Sequence, residues 1–148
     1  MCGIVGVLSR PDNRPAPDVA ELAVRLGAAS EAIRAWGTAD AGGDPTLTNA
    51  VFDCEEIIQA LRGFVGLRVL LDHAPRLQAP VRALDEAVSR FEKLLDQRAS
   101  NLGTARVEAF NALLTRAKDA LFTLERDRLG NVDKVRSLSC GSATEGHL

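Results

Sequence analysis

The sequence predicts an all-α fold, an antiparallel four-helix bundle preceded by one short N-terminal β-strand. Three observations lead there. Apolar residues recur at steps of three and four along four stretches, the spacing that gathers them on one helix face. Capping residues and chain breakers stand at the ends of those stretches. Aromatic residues make up only 4% of the 148 residues and tyrosine is absent, so the core must be built mainly from Ala, Leu and Val. Small aliphatic side chains of that kind suit close helix packing.

The chain opens with Met1-Cys2-Gly3-Ile4-Val5-Gly6-Val7-Leu8, in which residues 4–8 form a short apolar run that reads as a buried strand. Residues 1–9 are taken as this strand segment. Residues 10–17 follow as a linker: Pro11, Pro15 and Pro17 exclude a helix and favour extended backbone. Asp18 and Glu21 then have the form of a capping box. Behind them Val19, Leu22, Leu26, Ala29, Ile33 and Trp36 recur at helical spacing until Gly37.

Ala39 to Gly43 is a loop of small residues, and Asp44-Pro45 starts a second helix as N-cap and first helical position. Leu47, Val51, Cys54, Ile58, Leu61 and Val65 make its seam, which runs to about Asp72, before Pro75. Gly63 and Gly66 within it each cost about 1 kcal/mol relative to alanine, so they mark a bend or a close approach. A third helix is expected from about Pro80 to Leu102, with Val81, Leu84, Val88, Phe91 and Leu95 inward and Glu86 paired with Arg90. Gly103 ends it and Thr104 caps a fourth, whose seam is Val107, Phe110, Leu114, Ala117, Leu121 and Leu124, ending near Gly130. The short link between the third and fourth helices forces antiparallel neighbours. Residues 18–130 thus form the bundle, and residues 131–148, small and polar after Leu138, form a frayed tail.

The composition narrows the function classes. An apolar fraction of 46% with 26% charged residues is that of a globular protein able to bury a core. Eighteen basic and twenty acidic residues are interspersed, and without a basic stripe nucleic acid is not expected as a partner. Three scattered cysteines, Cys2, Cys54 and Cys140, with no secretory signal fit a reducing, cytoplasmic setting. The apolar opening is too short for a membrane span, so no membrane partner is expected.

Chemistry is suggested at the first residues. With the initiator methionine removed, Cys2 carries a thiol and a free α-amine on one carbon. A terminal amine titrates near pH 8 and can take the thiol proton, pairing nucleophile and base in one residue. Gly3 leaves room beside the sulfur. The segment Cys2-Gly3-Ile4-Val5-Gly6-Val7 resembles the start of the class II, N-terminal-nucleophile glutamine amidotransferases, most of all the glucosamine-6-phosphate synthase branch. The resemblance implies that Cys2 attacks the glutamine side-chain amide to form a glutamyl thioester. Ammonia would then pass to a sugar phosphate on a further domain, an aminotransferase reaction of the glutamine–fructose-6-phosphate type.

The resemblance covers residues 1–9. The family's Arg-Gly-x-Asp-Ser, Thr-His-Gly and His-Asn-Gly segments do not occur in the 148 residues. Without donors aimed at the developing oxyanion, each worth about 3 kcal/mol, these residues are expected to be an N-terminal fragment inactive by itself. The residues that would bind glutamine are not identified.

Elsewhere the candidates read as structural. His73 closes a helix beside Asp72 with no second ligand at metal spacing, and His147 lies in the tail. Cys54 holds a seam position, as a buried thiol would, and Cys140 lies in a polar segment as an exposed one. Glu55, Glu56, Asp85, Glu86, Glu92 and Asp96 fall between seam positions, and with no Glu-x-x-His in the chain they read as a solvated face rather than a di-iron site. Arg116, Lys118, Arg126 and Arg128, interleaved with Asp119, Glu125 and Asp127, are read in the same way. No cofactor and no metal is expected. The reading from the bulk of the chain is therefore a non-enzymatic helical module that mediates assembly, with homo-oligomers formed through its helix seams.

Overall fold

A computed structural model of the chain describes residues 14–37 and 44–141. Among these residues the fold is all-α. The helices are α1 (Val19–Ala35), α2 (Asp44–Ala60), α3 (Gly63–His73), α4 (Pro75–Arg98), α5 (Thr104–Phe122) and α6 (Gly130–Gly141). A 3₁₀ turn, Ala99–Asn101, follows α4, and a π-helical segment, Thr123–Leu129, joins α5 to α6. The expected strand at residues 4–8, with Cys2, lies outside the described residues.

The predicted seams are the core except at Val65 and Val107, which are only half-buried. Leu22, Leu26, Ala29, Ile33 and Trp36 from α1 and its end meet Leu47, Val51, Cys54 and Ile58 from α2. Val81, Leu84, Val88, Phe91 and Leu95 from α4 join them, with Phe110, Leu114, Ala117 and Leu121 from α5. Burying a Leu, Val or Phe side chain stabilises by about 1.5–3 kcal/mol, so these positions supply the main driving force. Asp18 caps α1, its Oδ1 accepting from the Ala20 N–H at 2.8 Å.

Cross-helix contacts fix the directions. Arg25 bonds Asp53 while Arg14, upstream, reaches the carbonyls of Gln59 and Arg62, so α1 and α2 run oppositely. Phe91 meets Phe110, whereas Gln78, Val81 and Asp85 earlier in α4 share a cleft with Glu125 and Leu129 beyond α5, so α4 and α5 run oppositely. Along α1 and α4 the order is different. Arg34 approaches Glu86, Trp36 packs on Phe91, and Arg98 donates to the carbonyl of Gly37, so these two helices run the same way. This is the alternation of an up-down course, in which α2 finishes at the end where α4 begins and α3 is interposed between them.

Four boundaries differ from the sequence expectation. The single helix expected over 44–72 is two helices, because the chain turns at Leu61–Gly63. Gly63 sits at φ +74°, a conformation costly for any residue with a Cβ. Gly66 then packs against the turn so closely that a Cβ there would stand 2.0 Å from the Leu61 carbonyl oxygen.

The third helix begins at Pro75 rather than near Pro80, which lies inside it. The proline costs only the bond to the carbonyl of Arg76, an exposed residue of the first turns where water can substitute. Gly103, not Thr104, takes the N-cap position of α5. Finally, the segment read as a frayed tail from 131 is helical to Gly141. Val132 is buried there, and Arg136 donates to the Leu71 carbonyl of α3 at 2.6 Å, so tertiary contacts hold what propensity alone would not.

Candidate functional site

Cys2, the one catalytic residue expected from the sequence, lies outside the described residues, and nothing in the described bundle can be assigned to it. Cys54 is completely buried in the core. Burial, with Asp53 and Glu55 adding to it, pushes its thiol up to about 12, so at neutral pH it is protonated and inert. The side chain of Cys140 is likewise outside what is described.

The carboxylates are distributed, not gathered. Glu55 receives both Nε and Nη2 of Arg116, at 2.8 and 2.7 Å, a bidentate bridge from α5 to α2. Hydrogen bonding from Arg116 holds the Glu55 carboxyl below its ordinary value. Glu92 pairs with Lys118, and Glu86, expected to pair with Arg90, lies 3.8 Å from Arg34 of α1. These pairs cross between helices at the surface, where each fixes register more than it stabilises. His73 is exposed at the end of α3. No group of three or more His, Cys, Asp or Glu side chains stands together among the described residues. No helix among them is long and apolar enough to cross a membrane.

The surface of the described residues carries several clefts. One of about 190 Å³ surrounds the Glu55–Arg116 bridge, and one of about 340 Å³ lies between Gln78, Asp85 and Glu125. Another, about 210 Å³, lies between α3 and the π-helical segment, with Leu61, Leu67 and Leu70 against Asp127, Arg128 and Asn131. Within that segment the Gly130 N–H donates to the Glu125 carbonyl, five residues back, and each such widened turn leaves one residue extra.

The extra residue has a local consequence. The α5 seam of Phe110, Leu114, Ala117, Leu121 and Leu124 would continue at 128 and 131. Those positions hold Arg128 and Asn131, while the apolar residues appear one place later as Leu129 and Val132. The widened turn puts Leu129 and Val132 on the core and leaves Arg128 half-buried beside α3, while Asn131 is exposed. Reading Arg128 as one of several solvated charges missed this. The one-residue slip of the apolar pattern after Leu124 was the available signal.

Compared with protein-family models, with curated proteins and with solved structures, the chain finds no match in any of the three.

Proposed function

We propose that the described residues act as a helical-bundle assembly module whose partner is a second copy of this chain. In this reading α1, α2, α4 and α5 are the four members of a four-helix bundle, and α3 and α6 close one end. The predicted route to oligomers was through the seams, but Leu47, Val51, Cys54, Ile58 and Leu61 are buried in the chain's own core. Association would instead use apolar side chains left outside.

The observation that carries this reading is that large apolar side chains stand exposed, Val24 on α1 and Phe52 on α2 among them. Phe64 on α3 and Leu138 on α6 are 74% and 76% exposed on helices that touch each other, and Phe122, also exposed, ends α5 just before the π segment. Sedimentation velocity over a hundredfold concentration range tests it. Self-association that is lost in the Phe64→Ser, Leu138→Ser double variant supports the module; a single monomeric species throughout removes it.

A second reading is favoured by residues 2–7 alone: that this is the N-terminal part of a glutamine amidotransferase of the glucosamine-6-phosphate synthase type. The Cys2 thiolate would attack the glutamine amide carbon, ammonia would leave, and water would release glutamate from the thioester. Intact mass and peptide mapping after an electrophilic glutamine analogue test it. Loss of Met1 with modification at Cys2, and none at the buried Cys54, supports the reading. Retained Met1, or no preference for Cys2, ends it.

A further inference from the structure

Helix α3 is apolar on every side, yet it lies on the surface. At about 100° per residue, Phe64, Val65, Leu67, Val69, Leu70 and Leu71 are spread around the whole helix, whose only polar side chains are Arg68, Asp72 and His73. A helix of that pattern is normally enclosed by its protein. Within α3 only Gly66 and Leu70 are buried, Leu67, Val69 and Leu71 are half-buried, and Phe64 is 74% exposed. The π-helical segment and α6 lie along one side of it, at Leu67 and at the Leu71 carbonyl, and leave Phe64 uncovered.

We propose that the outer side of α3 around Phe64 is the docking surface for the chain's own apolar opening, Ile4-Val5-Gly6-Val7-Leu8. The point where the chain enters the bundle selects this occupant. Arg14 donates to the Arg62 carbonyl at 2.7 Å and to the Gln59 carbonyl at 3.4 Å, so it is tied to the end of α2, two residues before Phe64. A basic side chain on the last carbonyls of a helix is a favourable C-terminal contact. Six residues separate Leu8 from Arg14, a reach of up to about 20 Å when extended. Eleven residues of α3 span about 16 Å, so the opening reaches any part of that helix.

The two surfaces match in character. Residues 1–9 contain no charged side chain, and Ile4, Val5, Val7 and Leu8 gain by leaving water, as Phe64 does. Val24 and Phe52 are exposed too, but α1 and α2 each bury a full seam, whereas α3 buries one large side chain. The inference does not rest on the assembly reading: it concerns one chain, and it leaves Leu138, Val24 and Phe52 to a second copy.

The test attaches a nitroxide to Cys2 of the full chain carrying Cys140→Ser, and reads paramagnetic broadening of the amide resonances. Cys54 does not compete, because its buried thiol is pushed up to about 12. The expected result is strong broadening at Phe64, Leu67 and Leu71 and none at Trp36 or Arg98, at the other end of the bundle. Mixing nitroxide-bearing chains with isotope-labelled chains that lack the nitroxide separates the chain's own segment from a second copy's. Broadening of α3 that is as strong in the mixture overturns the proposal, as does broadening spread evenly over the surface. Independently, Ile4→Asp with Val7→Asp should speed amide hydrogen exchange at Leu67 and Leu71 at least tenfold and leave α4 and α5 unchanged. Unchanged exchange in α3 ends the proposal, and this measurement decides if Cys2 resists labelling; if the double variant does not fold, the nitroxide result decides.

Discussion

Where α1 and α4 finish, Trp36 lies edge-on to Phe91 and Phe110, with centroids at 4.7 and 4.9 Å, and Arg98 closes over the Gly37 carbonyl. At the opposite end α2 turns into α3 through Gly63, Gly66 lies directly on the Leu61 backbone, and the π-helical segment leaves Arg128 Nε without a partner. The first end is held by side-chain packing, which a substitution removes atom by atom. The second is held by backbone proximity, which a substitution can only obstruct. The same core therefore ends in two different kinds of constraint, and they respond differently to change.

The largest effect is expected at the packed end. Trp36→Ala removes the ring that both phenylalanines contact and leaves a cavity, with an expected loss of about 3–5 kcal/mol in urea unfolding. Next is Gly66→Ala, which adds one carbon where the Leu61 carbonyl oxygen already stands. Backbone must move, at an expected cost of about 3 kcal/mol. If Gly66→Ala proves harmless, or costs more than Trp36→Ala, the ranking of the two ends is wrong.

The comparison sharpens with the same substitution elsewhere. Gly27, inside α1, has open space around the position a Cβ would take. Gly27→Ala should stabilise the fold by about 0.5–1 kcal/mol through helix propensity alone, read as a rise in Tm. A loss there would show that α1 is packed more tightly than the described contacts imply.

The core was legible in the sequence because it depends on a periodicity that burial enforces: the seams of α1, α4 and α5 are the buried residues almost position for position. The break between α2 and α3 was half legible. Gly63 and Gly66 were singled out as a bend or a close approach, and each proves to be one of the two. The shared direction of α1 and α4 follows from the expected antiparallel course, in which the first and third long helices run the same way. The helix beyond Gly130 was missed because its support is tertiary, through Val132 and Arg136. The slip from Leu124 to Leu129 was in plain view, but a three-four template has no place for an extra residue. Cys2, on which the catalytic reading turns, lies where only chemistry can test it.

The smallest expected effect concerns the bridge between α2 and α5, midway between the two ends. Glu55→Gln removes the charge that Arg116 grips with two hydrogen bonds. Both side chains are more than a third exposed, so water screens the pair and the loss should be only about 0.2–1 kcal/mol. Its pH dependence has a definite sign. Arg116 depresses the Glu55 carboxyl below its ordinary 4.5, so the unfolded chain binds the proton first as pH falls. The contribution is present above 4.5 and is lost as pH drops through the lower folded value. The Tm gap between Glu55→Gln and the unaltered chain should therefore be measurable at pH 7 and narrow as pH falls below 4.5. A gap that stays constant with pH would mean that Gln disturbs packing around Ile58 and Ala120 rather than charge, and the bridge would then belong with the side-chain constraints of the Trp36 end.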